Sequence, residues 1–228
     1  ITFSVPEICT RMPVVSIPVV KTNHRSTISC ALMNLLGCLD ERRRSDHHRL
    51  ADLLSRVNEE IPVVFTIADG TVSLDGSGPR PGAPIHTDFV ALSQDRVAMD
   101  ASLAGLMGFD PLAIETVVRA NGRVGTMENL CEIPLYPLRS VPSFRLRAPE
   151  PDFLARMEDR LMDRRRRKTH PGDGLIMRAM KRGGRLWYCL AHYLTGQNRQ
   201  ASKWIRDSVY GAQWLGKPEQ PSGGGERR

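Results

Sequence analysis

Lys21, Thr22 and His24 follow directly on a β-branched apolar run, PVVSIPVV (Pro13 to Val20), and Asp69 and Gly70 follow a second, PVVFTIA (Pro62 to Ala68). A lysine offers a phosphate or carboxylate a compact point cation, and a nearby histidine can move protons near neutral pH. An aspartate at the end of the other run could orient that histidine or accept a proton. The plain alternative is a solvent-facing loop whose polar residues merely end a strand. Of these residues, Lys21 carries most of the functional argument.

Other polar groups sit where their neighbours are apolar. Asn34 lies within LMNLLG, so its amide is either aimed at a site or satisfied locally near a helix end. His47 and His48 follow ERRRSD; adjacent helical residues point about 100° apart, so only one of the two can face inward. A metal role for it would need further ligands from afar, against a capping or surface role. Asp95 is placed to cap a helix, whereas Asp100 falls within that helix's apolar face and is the more informative carboxylate. Asp75 to Gly82, DGSGPRPG, is an irregular loop whose Gly76, Gly78 and Gly82 can take positive φ and turn N–H groups toward an anion. Arg80 could complement that anion or be solvated. The loop matches neither G-x-x-x-x-G-K-[ST] nor G-x-G-x-x-G, and a structural turn is its bland reading.

The elements that would position these residues read as α/β. The two apolar runs, with a shorter third at Phe89 to Leu92, have the continuous β-branched texture of strands covered on both faces in a parallel sheet. Helical patterns separate them: Ser26 to Leu36, ending at Gly37, and Asp46 to Glu59, with Leu50, Leu53, Leu54 and Val57 on one face. A helix capped by Ser93 or Asp95 runs to a stop at Gly108, and another from Pro111 to Asn121-Gly122. This alternation predicts a mostly parallel sheet flanked by helices. Ligands then gather beyond the carboxyl ends of the strands, where Lys21 and Asp69 are expected.

A core domain is expected over residues 1–138, a proline-rich linker over 139–150, a basic helical extension over 151–216 and a disordered tail over 217–228. Charge divides in the same way: residues 1–138 hold 12 Lys+Arg against 16 Asp+Glu, a net −4, and residues 139–228 hold 20 against 9, a net +11. Arg164, Arg165, Arg166, Arg167 and Lys168 invite docking on nucleic acid or an acidic membrane; a solvated helix face is the commoner meaning of such a run. The five cysteines form no C-x-x-C pair, so no iron–sulfur or zinc-ribbon motif is present and no metal is assigned. No secretory signal and no apolar run of about 20 residues is visible, and a cytoplasmic protein is expected.

Taken together, KTNHRSTISCALMNLLG, the DG followed by GSGPRPGAP, and SQDRVAMDASLAGLMGFDP resemble the domain of unknown function family numbered 362, over roughly Pro13 to Ile133. The family pattern falls on Lys21, Thr22 and His24; on Asn34 and Gly37; on His48; on Asp69 and Gly70; on Gly76, Gly78, Pro79 and Gly82; and on Asp95, Val97, Ala98 and Asp100. Asn23 is an extra residue between Thr22 and His24, and Met33 stands where the family usually has lysine. The resemblance implies an α/β fold, an upstream βα portion that the chain is expected to lack, and redox chemistry through the ferredoxin-like iron–sulfur modules joined to some relatives.

Two functions are therefore expected in competition. One is an enzyme-like domain binding a small anionic ligand, with Lys21 as cation, His24 or His48 as acid/base and Asp69 and Asp100 as carboxylates; Thr22, Asn34, Gly70, Gly76, Gly78, Arg80 and Gly82 would contact the ligand, and a ferredoxin-like partner would supply electrons. The other is a binding or scaffold protein whose basic tail docks on nucleic acid, membrane or an acidic partner.

Overall fold

The computed structural model describes residues 3–39, 49–76, 82–128, 130–134 and 144–151, together with Arg156, Lys203 and Arg206. His48, Gly78, Arg80, the Arg164 to Lys168 run and the helices expected in the tail lie outside the described residues. The chain divides into two compact units, Ile1–Phe153 and Leu154–Arg228.

The first unit is an α/β domain built on one five-stranded sheet. The run PVVSIPVV forms two strands, β1 (Val14–Ser16) and β2 (Val19–Asn23). Pro18 has no N–H to give a ladder, so the run breaks there, although its carbonyl still accepts from Asp69 N at 2.8 Å. Both pieces run parallel to β4 (Val63–Asp75), β1 along its first residues and β2 further on, with Val19 opposite Asp69 and Lys21 opposite Leu74. β3 (Thr27–Ser29) returns antiparallel to β2, and β5 (Ala83–Ser93) returns antiparallel to β4. The expected α/β class holds, with a mixed sheet: parallel where β1 and β2 meet β4, antiparallel at the two hairpins.

Two local expectations are corrected. The helix expected from Ser26 to Leu36 begins later: Thr27, Ile28 and Ser29 pair with Asn23, Thr22 and Lys21 in a tight hairpin, and only α2 (Ala31–Asn34) and a 3-10 turn at Leu35–Cys38 are helical. The β-branched Thr27 and Ile28 found a strand partner, which a helix periodicity does not reveal. Nor do Lys21 and Asp69 follow their strands. β2 continues to Asn23 and β4 to Asp75, because TVSLD after Gly70 alternates as a strand and has β5 to pair with.

Helices α3 (Leu50–Glu60), α4 (Arg96–Leu106) and α5 (Glu115–Ala120) pack on one face of the sheet. The apolar stripe expected on Leu50, Leu53, Leu54 and Val57 is buried; on α4 Val97, Ala101, Leu103 and Ala104 are buried, and Ala98 and Leu106 partly so. Asp95 caps α4 through Val97 N and Ala98 N, and Gly108, at φ 85°, allows the left-handed turn that ends it. On the other face Val15, Val19, Val90 and Leu92 are about half exposed, so the continuous apolar runs are covered on one side only among the described residues. The first unit also reaches past Leu138. Phe144 N and Leu146 N donate to Leu106 and Met107 carbonyls, Leu146 is buried, and the Phe144 ring sits 5.5 Å from that of Phe89.

Gly70 is required by packing. Opposite it on β5, the Phe89 ring lies directly over its α-carbon, and a Cβ there would overlap the ring. Gly70→Ala is expected to cost about 1–3 kcal/mol, read as a lower urea midpoint with an unchanged slope. An unchanged midpoint would show that Phe89 moves aside freely.

Candidate functional site

The carboxyl ends of β2 and β4 lie at the same end of the sheet because the strands are parallel, and β5 begins there. Lys21 is half-buried, with Leu74 opposite it on β4 and Ser29 on β3. Thr22 is fully buried and donates from Oγ1 to the carbonyls of Leu74 (3.1 Å) and Gly76 (2.6 Å), tying β2 to the point where the glycine-rich segment leaves β4. Gly76 itself sits at φ 82°. Beyond β2, Asn23 Oδ1 accepts from Arg25 N at 2.8 Å, and Arg25 Nε donates to His24 Nε2 at 3.1 Å. With Nε2 accepting, a neutral His24 carries its proton on Nδ1. The end of β4 is held by a clamp: Asp75 accepts from Arg147 N (2.6 Å) and Arg147 Nε (2.7 Å).

A buried carboxylate stands behind this end. Asp100 on α4 accepts from Ala31 N at 2.7 Å and from Leu32 N at 3.1 Å, one oxygen to each, and so holds the first turn of α2 directly after β3. Burial pushes its carboxyl up to about 7, against the hydrogen bonds from Leu32, Ala31 and the Cys30 thiol, which favour the charged form. Burial, reinforced by the Asp100 charge, pushes the Cys30 thiol well above its usual range, and Lys21 pulls it the other way. Lys21 thus acts electrostatically on Cys30, which in turn donates to Asp100.

The sequence-expected residues therefore separate into groups. Lys21, Thr22, His24, Gly76 and Gly82 share one end of the sheet, with Asp100 reached through Cys30. Asp69 stands opposite Val19, two residues before Lys21, and its Oδ1 accepts from Thr71 N at 2.9 Å and Thr71 Oγ1 at 2.7 Å. Gly70 lies under Phe89. Asn34 is apart from these, donating from Nδ2 to Ser16 Oγ on β1 at 2.9 Å.

Two residues that matter were not singled out from sequence. Asn58 on α3 is buried, donates to the Leu32 carbonyl at 3.0 Å and to the Leu54 carbonyl at 2.8 Å, and accepts from Arg96 Nη1 at 3.2 Å. Arg96, also buried, donates to the Asn58 and Ile61 carbonyls at the end of α3, where a cation is favoured. The signal was available: Asn58 falls four residues after Leu54, on the apolar stripe. Elsewhere Phe3, Val5, Thr10, Arg56, Glu59, Glu60 and Arg123 line an open depression of about 510 Å³ that includes none of the expected site residues.

Among the described residues no three His, Cys, Asp or Glu side chains are grouped as metal ligands, and Cys9, Cys30, Cys38 and Cys131 form no disulfide with one another. The described residues thus do not fit an iron–sulfur cluster. No helix among them is long and apolar enough to cross a membrane.

Residues 3–105 match the model of the family described as Domain of unknown function (DUF362). The matched segment spans all five strands and α4 nearly to its end, including Asp100. A thylakoid-associated protein of Synechocystis sp. is 26% identical over 133 residues, which cover 55% of this chain and 41% of that relative. The chain therefore spans less than half of the relative's length. No solved structure matches.

Because the folded carboxyl of Asp100 titrates near 7 and an unfolded one near 3.8, the folded state binds the extra proton between those values. Its contribution to stability is full below about pH 4, falls by about 1.4 kcal/mol per pH unit up to about 7, and is flat above. Asp100→Asn is expected to remove this slope from a plot of melting temperature against pH. A slope that persists in the variant would assign it elsewhere.

Proposed function

We propose that the unit Ile1–Phe153 is an enzyme-like domain that binds a small anionic ligand at the end of the sheet where β2 and β4 finish and β5 begins. The observation that supports this most is the placement of Lys21, His24 and Arg25 around the Thr22 tie to Gly76, at the root of the glycine-rich segment. Cations and backbone N–H groups at one strand end favour a phosphate or carboxylate. Lys21 supplies the charge that binds the anion, and His24, whose Nδ1–H is its donor when Nε2 accepts from Arg25, acts as acid/base toward it. Asp69 and Asp100 act as orienting carboxylates, Asp100 by fixing the turn that follows the hairpin. Electron transfer, where it occurs, comes from a separate iron–sulfur module or partner.

Titration calorimetry of the whole chain with inorganic phosphate and with short mono- and dicarboxylates tests this. At least one of these anions is expected to bind, about tenfold or more weakly to Lys21→Met, at an unchanged melting temperature. Absence of binding by all of them, or equal affinity in the variant, would remove the proposal.

A second reading rests on a different observation. The relative is thylakoid-associated, and residues 139–228 here carry a net charge of +11. Such a segment suits an anionic membrane surface better than a neutral one, each basic residue contributing about 1 kcal/mol near the surface. Co-sedimentation with phosphatidylglycerol vesicles should be strong at low salt and fall at least tenfold, by rough reckoning, when Arg164 to Arg167 are changed to glutamate. Equal binding to uncharged phosphatidylcholine vesicles would argue against an electrostatic tail.

A further inference from the structure

Beyond Gly70 the end of β4 is not held by a regular ladder. Its register shifts against β5 between Gly70 and Val72, and against β2 between Val19 and Lys21. Irregularities of this kind disrupt pairing locally and re-aim the strand, so its last residues depend on other ties. Side chains supply them. Thr87 Oγ1 donates to the Gly70 carbonyl and is 2.7 Å from Ser73 Oγ, while Thr22 Oγ1 reaches the Leu74 and Gly76 carbonyls.

One more tie comes from far along the chain. Residues 144–147 run across the ends of α4 and β4 with alternating contacts. Phe144 N and Leu146 N donate to the Leu106 and Met107 carbonyls, the Phe144 ring lies against that of Phe89, and Leu146 is buried. The alternate residues, Arg145 and Arg147, are exposed and lie against two glycines. A Cβ on Gly108 would stand 3.2 Å from Arg145 Cγ, and one on Gly76 would stand 3.6 Å from Arg147 Nη2. Both glycines take positive φ, directly after α4 and β4 stop. Arg147 also grips the last residue of β4 twice, donating from its backbone N and from Nε to the two oxygens of Asp75, whose side chain is 15% exposed.

An exposed ion pair adds little to global stability. Its effect here is on geometry, because it acts where the ladder is irregular. We propose that residues 144–147 are a strap that orders this end of the sheet for its ligand, with Arg147 as the positioning residue that fixes Asp75 and Gly76. The strand end is then completed from beyond residues 3–105. Where the inference concerns anion affinity it rests on the strand-end reading above; where it concerns the order of β4 it does not.

The test uses the whole chain, first without ligand. In Arg147→Met, amide hydrogen exchange is expected to lose roughly 3- to 10-fold of protection at residues 73–75 and 83–85, while residues 66–69 and 90–93 keep theirs and the melting temperature moves by about 3 °C or less. Arg147→Lys keeps a cation beside Asp75 and should restore most of that protection. Asp75→Asn should give the same local loss, with little added in the double variant. Raised salt should lower protection at these residues in the wild type but not in Arg147→Met. Any anion that the calorimetry above finds to bind should bind Arg147→Met about three- to tenfold more weakly. If no anion binds while the exchange difference appears, the strand-end reading falls and the strap stands. Unchanged exchange at residues 73–75 and 83–85, a loss spread evenly over the whole β4–β5 ladder, or unchanged affinity for a bound anion would each overturn the strap.

Discussion

Asp100 is the constraint around which the first unit is organised. One carboxylate, wholly buried, accepts the first two N–H groups of α2 and a thiol, and so joins α4 to the turn that ends the β2–β3 hairpin. Removing such an acceptor strands two backbone donors in the core, which costs far more than the pair of bonds contributes net. The network continues from there. Leu32 offers its carbonyl to Asn58, Asn58 accepts from Arg96, and Arg96 closes back on the end of α3. Three helices are thereby fixed to one another by polar contacts that admit only one register, where apolar packing alone tolerates several.

That fixation bears on the site more than any single residue in it. Lys21 and Arg25 belong to a short hairpin, and short hairpins are not stable alone. This one is held on the β4 side by Thr22 and on the helix side by Asp100, and its cations are positioned as a consequence. The strand-end site thus draws its geometry from a carboxylate that itself stays under the helices.

Much of the architecture was legible in the sequence because it depends on local rules. Pro13 to Val20 supplies β1 and the start of β2, Pro62 to Ala68 supplies the start of β4, the Asp95 cap and the Gly108 stop bound α4, and the apolar stripe of α3 is buried as its spacing requires. Hairpins were not legible, since they depend on a partner distant in space or on one residue's tolerance of positive φ, as at Thr27. For the same reason the strand ends were misplaced: an apolar run stops at Ala68, but β5 carries the ladder on to Asp75. In the candidate site, Lys21, Thr22, His24 and Gly76 do share one end of the sheet, while Asp100 holds the first turn of α2 behind it. Asn58 and Arg96 escaped notice because a polar residue on an apolar stripe declares itself only once its partners on other helices are known.

The claim that Asp100 pins α2 is tested most directly by amide hydrogen exchange at Ala31 and Leu32 in the wild type and in Asp100→Asn. Both amides are expected to be protected in the wild type and to lose roughly 10- to 100-fold of that protection in the variant, while the amides between β4 and β5 keep theirs. Unchanged protection at Ala31 and Leu32 would contradict the account, since α2 would then be held by something other than this carboxylate.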